Sequence, residues 1–216
     1  RRNALAMLRA ALGTAEDRGH LSRNVAARVK PPRIPRTKPE ALTPERAKAI
    51  LAAVAGDRYE AAYALAFCGL RASEVLGLAW GDVDRGARVI HVRYQLVGSG
   101  ERARRAQTKT AASAADVEMP AFVAARLDAH EGRQRDERPI APIDGDGLVF
   151  VTERGYAVNG SWLTKHFQGL LEAASLPPMR LHDLRHGLAA LLAGMRVHPS
   201  VAQAILRHST ARMTLD

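Results

Sequence analysis

The chain has 216 residues, of which 47% are hydrophobic, so it can bury the core of one full domain and part of a second, and this content argues against wholesale disorder. No apolar run approaches the roughly 20 residues that span a bilayer, and the single cysteine, Cys68, excludes an internal disulfide and favours a reducing, cytoplasmic location. The net charge of +10 favours a polyanionic partner, either nucleic acid or an acidic membrane surface.

Residues 1–40 carry a large share of this charge, with ten basic side chains against three acidic ones, a net of +7. Leucines at helical spacing predict a helical segment within residues 3–29 that is too short to fold alone. Residues 31–41 are rich in proline, which favours an extended chain, so they predict an interdomain linker. A solvated linker is one interpretation of its charge, and a surface for a polyanion is the other. The candidate binding residues are Arg28, Lys30, Arg33, Arg36 and Lys38.

The segment after the linker predicts a run of helices. Thr43-Pro44-Glu45 marks a helix start, because threonine caps the first turn, proline suits the first helical position and glutamate complements the helix dipole. Apolar residues predict a second helix over residues 59–68. After the turn Gly69-Leu70-Arg71, a third helix is predicted over residues 72–80, ended by Gly81.

The apolar pattern then changes to that of strands. Val89, Val92 and Tyr94 predict one strand, and residues 103–108 and 116–119 predict two more, which together form a small three-stranded antiparallel sheet. The fold class is therefore predicted as mainly α within the α+β type, a helical domain with one small sheet.

Helices return after the sheet. We predict helices over residues 121–130, 182–193 and 199–206, and another that begins with Ser161 as its N-cap. Residues 132–147 are rich in charge, proline and glycine, and this composition predicts an exposed loop.

Four local patterns carry side chains that suit phosphate chemistry. Arg71 follows a glycine turn at the start of a predicted helix, where its guanidinium offers a fixed fork of donors for phosphate oxygens. Glu74 lies three residues later on the same helical face and can orient a basic partner, although an ordinary surface pair is an equally good interpretation. Lys109 lies at a predicted hairpin turn, where it can serve as a point charge or an acid, as many loop lysines can.

The other two patterns contain histidine. His182 and Arg185 are three residues apart, so on a helix they share a face and can converge on one ligand. His182 and His186 also have the spacing of a metal-binding helix, but no third ligand stands out, and we predict no metal. His208 follows a predicted helix end in a polar turn, where a helix-capping histidine is the simplest interpretation of that residue alone.

Taken in order, the pattern Arg, Lys, His-x-x-Arg and His at these separations resembles the tyrosine recombinase family, which includes phage and mobile-element integrases. The resemblance runs over residues 42–216. Residues 69–84 resemble the family's first arginine box, residues 182–186 resemble its second, and residues 206–210 resemble its Leu-Gly-His-Ser-Ser segment. Residues 1–30 resemble the end of the family's helical core-binding domain, which helps to clamp DNA.

The resemblance implies a domain organisation and a partner. Residues 1–30 would be the C-terminal remnant of a core-binding domain, residues 31–41 the basic linker, and residues 42–216 a catalytic domain without its terminal tyrosine segment. Double-stranded DNA is the implied partner, and the full-length protein would act as a homotetramer on two paired DNA sites. The implied activity is site-specific recombination, the integration or excision of phage or other mobile DNA.

The resemblance also implies a mechanism that uses neither a cofactor nor a metal. A tyrosine attacks a DNA phosphodiester, releases a 5′-hydroxyl and leaves a 3′-phosphotyrosyl link. The two arginines would hold the non-bridging oxygens of the transition state, the lysine would protonate the leaving 5′ oxygen, the first histidine would assist proton transfer at the tyrosine, and the last would donate a hydrogen bond to the phosphate. The implied site residues are Arg71, Lys109, His182, Arg185 and His208, with Glu74 in a supporting position.

The nucleophile itself is not found at the implied position. The family places its tyrosine about ten residues after the last histidine, roughly two residues beyond Asp216. All four tyrosines lie upstream: Tyr59, Tyr63, Tyr94 and Tyr156. We therefore expect the 216 residues to bind DNA without cleaving it. Two alternatives stay open, a non-enzymatic DNA-binding remnant or regulator and a type IB topoisomerase-like enzyme with the same phosphotyrosyl chemistry.

Overall fold

The chain divides into two compact units, Arg1–Lys38 and Pro39–Asp216. Within them, the computed structural model describes residues 2–31, 42–98, 102–108, 114–137 and 147–194. No helix in this described part of the chain is long and apolar enough to cross a membrane.

The first unit contains helix α1 (Arg2–Asp17) and a segment of turns that folds back on it. Arg9 holds that segment, because its Nε donates to the carbonyl oxygen of Ala26 at 2.9 Å and its own carbonyl accepts from Asn24 Nδ2 at 2.8 Å. The helical prediction for residues 3–29 is therefore confirmed for α1, whereas residues 21–29 of the predicted segment form turns and bends.

The second unit opens with helices α2 (Pro44–Ala53), α3 (Glu60–Phe67) and α4 (Ala72–Leu76). Helix α2 begins as predicted, because Thr43 Oγ1 accepts a hydrogen bond from the backbone N–H of Arg46 at 3.2 Å. Helix α3 is apolar around almost its whole circumference and is buried at the centre of the core, as a helix without a polar face must be.

The predicted helix over residues 72–80 is wrong in its second half. Gly77 ends α4, and the chain then pairs with a distant segment, since the carbonyl oxygen of Leu78 accepts from the backbone N–H of Val149 at 2.9 Å. A short 3-10 helix, Trp80–Asp82, follows. Ala79, just before it, has an extended backbone (φ −108°, ψ 160°), so α4 cannot continue through this residue.

The described strands form two small antiparallel sheets. They are β1 (Val83–Asp84), β2 (Val89–Val92), β3 (Tyr94–Val97), β4 (Arg104–Gln107) and β5 (Ala115–Glu118). β2 lies between β1 and β5, while β3 and β4 form a separate hairpin. A three-stranded antiparallel sheet is confirmed, but its membership was predicted wrongly. The chain changes partner at Arg93, because Val92 pairs with Ala115 on β5 and Tyr94 pairs with Gln107 on β4.

The remaining helices are α5 (Ala121–Glu137), α6 (Gly160–Ala173) and α7 (Leu181–Gly194). The loop prediction for residues 132–147 is wrong over its first six residues, which continue α5. These added turns are fixed in place because Gln134 Oε1 accepts from the indole Nε1 of Trp80 at 2.7 Å. The helix predicted over residues 182–193 is confirmed as α7, and the one predicted over residues 199–206 lies outside the described residues.

The N-cap of α6 also differs from the prediction. Asn159 caps the helix in place of Ser161, because Asn159 Oδ1 accepts from the backbone N–H groups of Ser161 and Trp162 at 2.9 and 3.0 Å. Leu181 and Leu184 bury α7 in the same core as α3. This packing brings the start of α7 to the turn that joins α3 to α4, where the candidate site lies.

Candidate active site

Arg71 is the N-cap of α4, and the buried Glu74 fixes it in two ways. One carboxylate oxygen, Oε2, accepts from the backbone N–H of Arg71 at 2.8 Å, and the other, Oε1, lies 2.6 Å from Arg71 Nη1. Glu74 is only 2% exposed, so this is not the ordinary surface pair that was the alternative interpretation. The preceding Gly69 has a φ of 83°, a left-handed conformation that glycine adopts without strain, and it turns the chain out of α3.

Arg185 connects α7 to this turn. Its side chain is buried, with 2% exposure, and its Nη1 donates a hydrogen bond to the backbone carbonyl oxygen of Gly69. Gly69 lies two residues before Arg71 in the chain, so the two predicted arginine boxes meet at one point of the fold. The sequence could predict that each box contains an arginine, but the carbonyl that joins them had no signal in the sequence.

His182 lies on α7 one turn before His186, and their rings meet edge to face with centroids 4.7 Å apart. Although His182 is exposed, its pKa is lowered, chiefly because packing removes part of its water. The positive charges of His186, Arg185 and Arg71 lower it further and outweigh the opposing effect of Asp183. His182 is therefore neutral at neutral pH and can accept a proton. Within the described residues, no three His, Cys, Asp or Glu side chains lie together as metal ligands would.

Comparison with known proteins identifies the family. The family model for the phage integrase family matches residues 40–216. The chain belongs to this family. A tyrosine recombinase XerC-like protein of Caldanaerobacter subterraneus subsp. tengcongensis is 31% identical over 223 residues, which cover 94% of this chain and 57% of the relative. The integrase of Mycobacterium phage D29 is 32% identical over 226 residues, covering 100% of this chain and 57% of the relative. The chain thus spans about three-fifths of the length of these curated relatives.

Solved structures share the fold of this family member. The Tn1549 transposon integrase, solved in complex with transposon right end DNA, has a TM-score of 0.73 and 25% identity, covering 99% of this chain and 72% of that one. A lambda integrase dimer bound to a COC′ core site has a TM-score of 0.65 and 19% identity, covering 100% and 58%. The prediction of a tyrosine recombinase catalytic fold is confirmed.

Several predicted site residues of this family member lie outside the described residues. They are Lys109, His208, Arg33, Arg36 and Lys38. Arg28 and Lys30 are described and exposed, so a polyanion can reach both of them. The chain is described up to Thr108, whose backbone N–H donates to the carbonyl oxygen of Arg93 at 3.1 Å and so extends the β3–β4 pairing to the residue before Lys109.

Arg105 was not among the predicted site residues. It lies on β4 and reaches two elements near Arg71, since Nε donates to the carbonyl oxygen of Gly77 at 3.0 Å and Nη2 pairs with Asp82 Oδ2 at 2.6 Å. No signal in the sequence separates Arg105 from the adjacent Arg104, because both are arginines and only the facing of the strand distinguishes them.

Proposed function

We propose that this chain is the central part of a site-specific recombinase that cuts and rejoins DNA through a 3′-phosphotyrosyl intermediate. The observation that carries the proposal is the contact between Arg185 and the Gly69 carbonyl, which brings a second guanidinium to the turn that presents Arg71. Two fixed cations at one point suit a phosphodiester whose transition state gathers negative charge on its non-bridging oxygens. Glu74 supports the pair by fixing the Arg71 guanidinium.

In this proposal His182 accepts the proton of the attacking tyrosine. The lowered pKa of His182 supports the role, because a base must be unprotonated when the reaction begins. The tyrosine oxygen then bonds to phosphorus as the bond from phosphorus to the 5′ oxygen breaks. Lys109 supplies the proton that the leaving 5′ oxygen takes, and His208 donates a hydrogen bond to the phosphate. These last two roles rest on the family resemblance.

We further propose that residues 1–30 belong to a DNA-clamping domain and that residues 31–41 follow the DNA backbone, with exposed Arg28 and Lys30 facing phosphates. The complete protein would assemble as a homotetramer on two DNA sites in the cytoplasm. The four tyrosines of the 216 residues all precede the second arginine box, and the hydroxyl of Tyr63 is buried. The 216 residues alone would therefore bind DNA without cleaving it.

A covalent-adduct assay tests the proposal. DNA duplexes that bind the full-length gene product are selected from a random pool and nicked beside the binding site, so that the cleaved end diffuses away and the adduct accumulates. We expect the full-length protein to form a protein–DNA adduct, the 216 residues to bind with strong salt dependence but form none, and Arg71→Lys to lower adduct formation in the full-length protein by about 10²-fold.

The other outcomes are equally informative. Tight binding by the full-length protein without any adduct would overturn the recombinase proposal in favour of a regulator. Relaxation of supercoiled DNA without site dependence would indicate a topoisomerase. An adduct formed by the 216 residues alone would show that one of the four upstream tyrosines is the nucleophile.

A further inference from the structure

The pairing of β3 with β4 extends to Thr108, the residue that precedes Lys109 in the chain, so whatever holds this hairpin also fixes Thr108. The last pairing in the hairpin joins Thr108 to Arg93, at 3.1 Å between the amide nitrogen and the carbonyl oxygen. A two-stranded hairpin is marginally stable by itself in water. Its position relative to the arginines must therefore come from contacts with other elements.

One such contact is a close approach of backbones at the end of α4. A Cβ atom placed on Gly77 would lie 2.6 Å from backbone atoms of both Gln95 and Leu96 on β3, which is closer than real Cβ atoms come. The φ of Gly77 is −89°, a value that any residue can adopt, so the glycine is needed for space and not for its backbone conformation. Strand β3 thus lies directly on the end of the helix that begins beside Arg71.

Arg105 adds a polar connection across the same junction. From β4 it donates to the carbonyl oxygen of Gly77, pairs with Asp82 and places its guanidinium 4.2 Å from the ring centroid of Tyr94 on β3. The side chains of Arg105 and Asp82 are 12% and 16% exposed, so little water competes with the pair. Asp82 is itself fixed, because its Oδ2 also accepts from the backbone N–H of Ala79 at 2.9 Å.

We propose that Arg105 is a positioning residue that ties the hairpin leading to Lys109 to the helix that begins beside Arg71. Its guanidinium is directed into this junction and toward a carboxylate, so its role is to hold the hairpin and not to bind a DNA phosphate. The proposal rests on the proposed function only for the statement that Lys109 delivers the proton to the leaving 5′ oxygen.

The first test measures how stably the β3–β4 hairpin is held in the 216-residue chain. Hydrogen exchange at the amides of β3, β4 and Thr108 is compared between wild type, Arg105→Met and the milder Arg105→Lys, which keeps the charge but loses the planar fork. We expect exchange to be at least about tenfold faster in Arg105→Met and intermediate in Arg105→Lys. Unchanged exchange in Arg105→Met would overturn the proposal, whatever the protein does to DNA.

Arg85→Met is the matched control for this measurement. Arg85 also has a paired guanidinium, with Asp128 and Glu131, and lies 5.2 Å from the ring centroid of Trp80, but it does not reach β3 or β4 in any described contact. We expect the control variant to leave hairpin exchange as in wild type. Thermal unfolding of each variant identifies any that fails to fold. If Arg105→Met fails to fold, the hydrogen exchange of Arg105→Lys tests the proposal in its place.

The second test separates positioning from general damage, using the full-length protein and single-turnover cleavage. One substrate has the natural 5′ oxygen at the scissile phosphate, and the other has a 5′-bridging sulfur, which leaves as a thiolate and needs no acid. We expect Arg105→Met to slow the oxygen substrate by about 10²-fold and the sulfur substrate by less than about threefold. Equal slowing of both substrates would overturn the positioning role.

Lys109→Ala distinguishes failure of this inference from failure of the proposed function. If Lys109 is the acid, this variant shows the same recovery with the sulfur substrate. If it slows both substrates equally, the role of Lys109 is wrong, and the hydrogen-exchange result alone then decides whether Arg105 holds the hairpin.

Discussion

Two arginines near opposite ends of helix α3, Arg58 and Arg185, make different kinds of contact. Near its N-terminal end, Arg58 pairs with a glutamate of α5. Just beyond its C-terminal end, Arg185 donates to the carbonyl of Gly69, and a carbonyl carries no formal charge. The first contact pairs a cation with a carboxylate, which neutralises it. The second contact orients a cation without itself cancelling its charge, as binding of an anion requires.

The largest expected effect comes from replacing each of these two arginines with methionine. Arg185→Met should lower covalent-adduct formation by the full-length protein by about 10²- to 10³-fold, because one cation at the transition state is lost. Arg58→Met should leave adduct formation nearly unchanged and lower the free energy of unfolding by about 1 kcal/mol, the scale of one partly exposed polar interaction. The comparison fails if Arg58→Met impairs cleavage as strongly as Arg185→Met.

The pH dependence of cleavage sharpens the comparison at His182. Because its pKa is lowered by lost water and by neighbouring positive charges, His182 stays neutral below the usual histidine value of about 6.5. The acid limb of the single-turnover rate should therefore lie below that pH, and His186→Gln should move it upward by removing one of the charges. A rate that falls with a midpoint at or above the ordinary value would contradict this account.

The buried histidine of helix α5, His130, should affect folding and not cleavage. His130 is buried between the carbonyl oxygens of Val149 and Arg58, at 2.7 Å from Nε2 and 3.1 Å from Nδ1. Burial lowers its pKa, and the charges of Arg58 and Arg133 add to this, although the two carbonyls oppose it. Between the folded and unfolded pKa values the unfolded chain binds more protons, so stability is full above about pH 6.5 and is lost as pH falls toward the lowered pKa.

Urea unfolding between pH 5 and 7.5 checks this expectation. The wild type should lose free energy of unfolding on acidification, and His130→Gln should lose less, because the group that must take up the proton is gone. A steeper loss in His130→Gln would show that the carbonyls stabilise a protonated ring, and the direction of the pKa shift would then be wrong.

The smallest expected effect is a gain in stability. The hydroxyl of Tyr63 is buried and has no hydrogen-bond partner in the part of the chain that the structure describes, while its ring packs 5.1 Å from that of Phe167. Tyr63→Phe should raise the free energy of unfolding by about 1 kcal/mol, or roughly 2–4 °C in Tm. Adduct formation by the full-length protein should not change. A drop in Tm would mean that the hydroxyl is hydrogen-bonded after all.

Local patterns in the sequence predicted the elements whose causes are themselves local. Thr43 caps α2 as expected, and the three-residue spacing of His182 and Arg185 puts both at the start of one helix. The errors have non-local causes. Helix α4 is shorter than predicted, and the residues after it pair with a distant segment at Leu78 and Val149. Helix α5 is longer than predicted, and its added turns are held by the hydrogen bond from Trp80 to Gln134. Neither contact leaves a periodic signal in the sequence.

In the candidate site, too, features with local causes could be predicted and features with non-local causes could not. Arg71 and Glu74 could be recognised together because they are three residues apart, but the burial of Glu74 could not, since a glutamate near a helix start is usually solvated. Arg105 was missed because its partners, Gly77 and Asp82, lie 28 and 23 residues away. The residue type alone does not distinguish an arginine that holds a junction between elements from one that is exposed to solvent.

The contact between Arg185 and Gly69 also bears on when the site comes into being. Its two residues are 116 positions apart, so it can form only after most of the second unit has been synthesised and has collapsed around α3. Contacts of such long sequence separation form late, because closing the intervening chain is slow and entropically costly. A nascent or partly unfolded chain therefore carries its first arginine without the second beside it. Assembly of the paired cations is thus tied to completion of the fold.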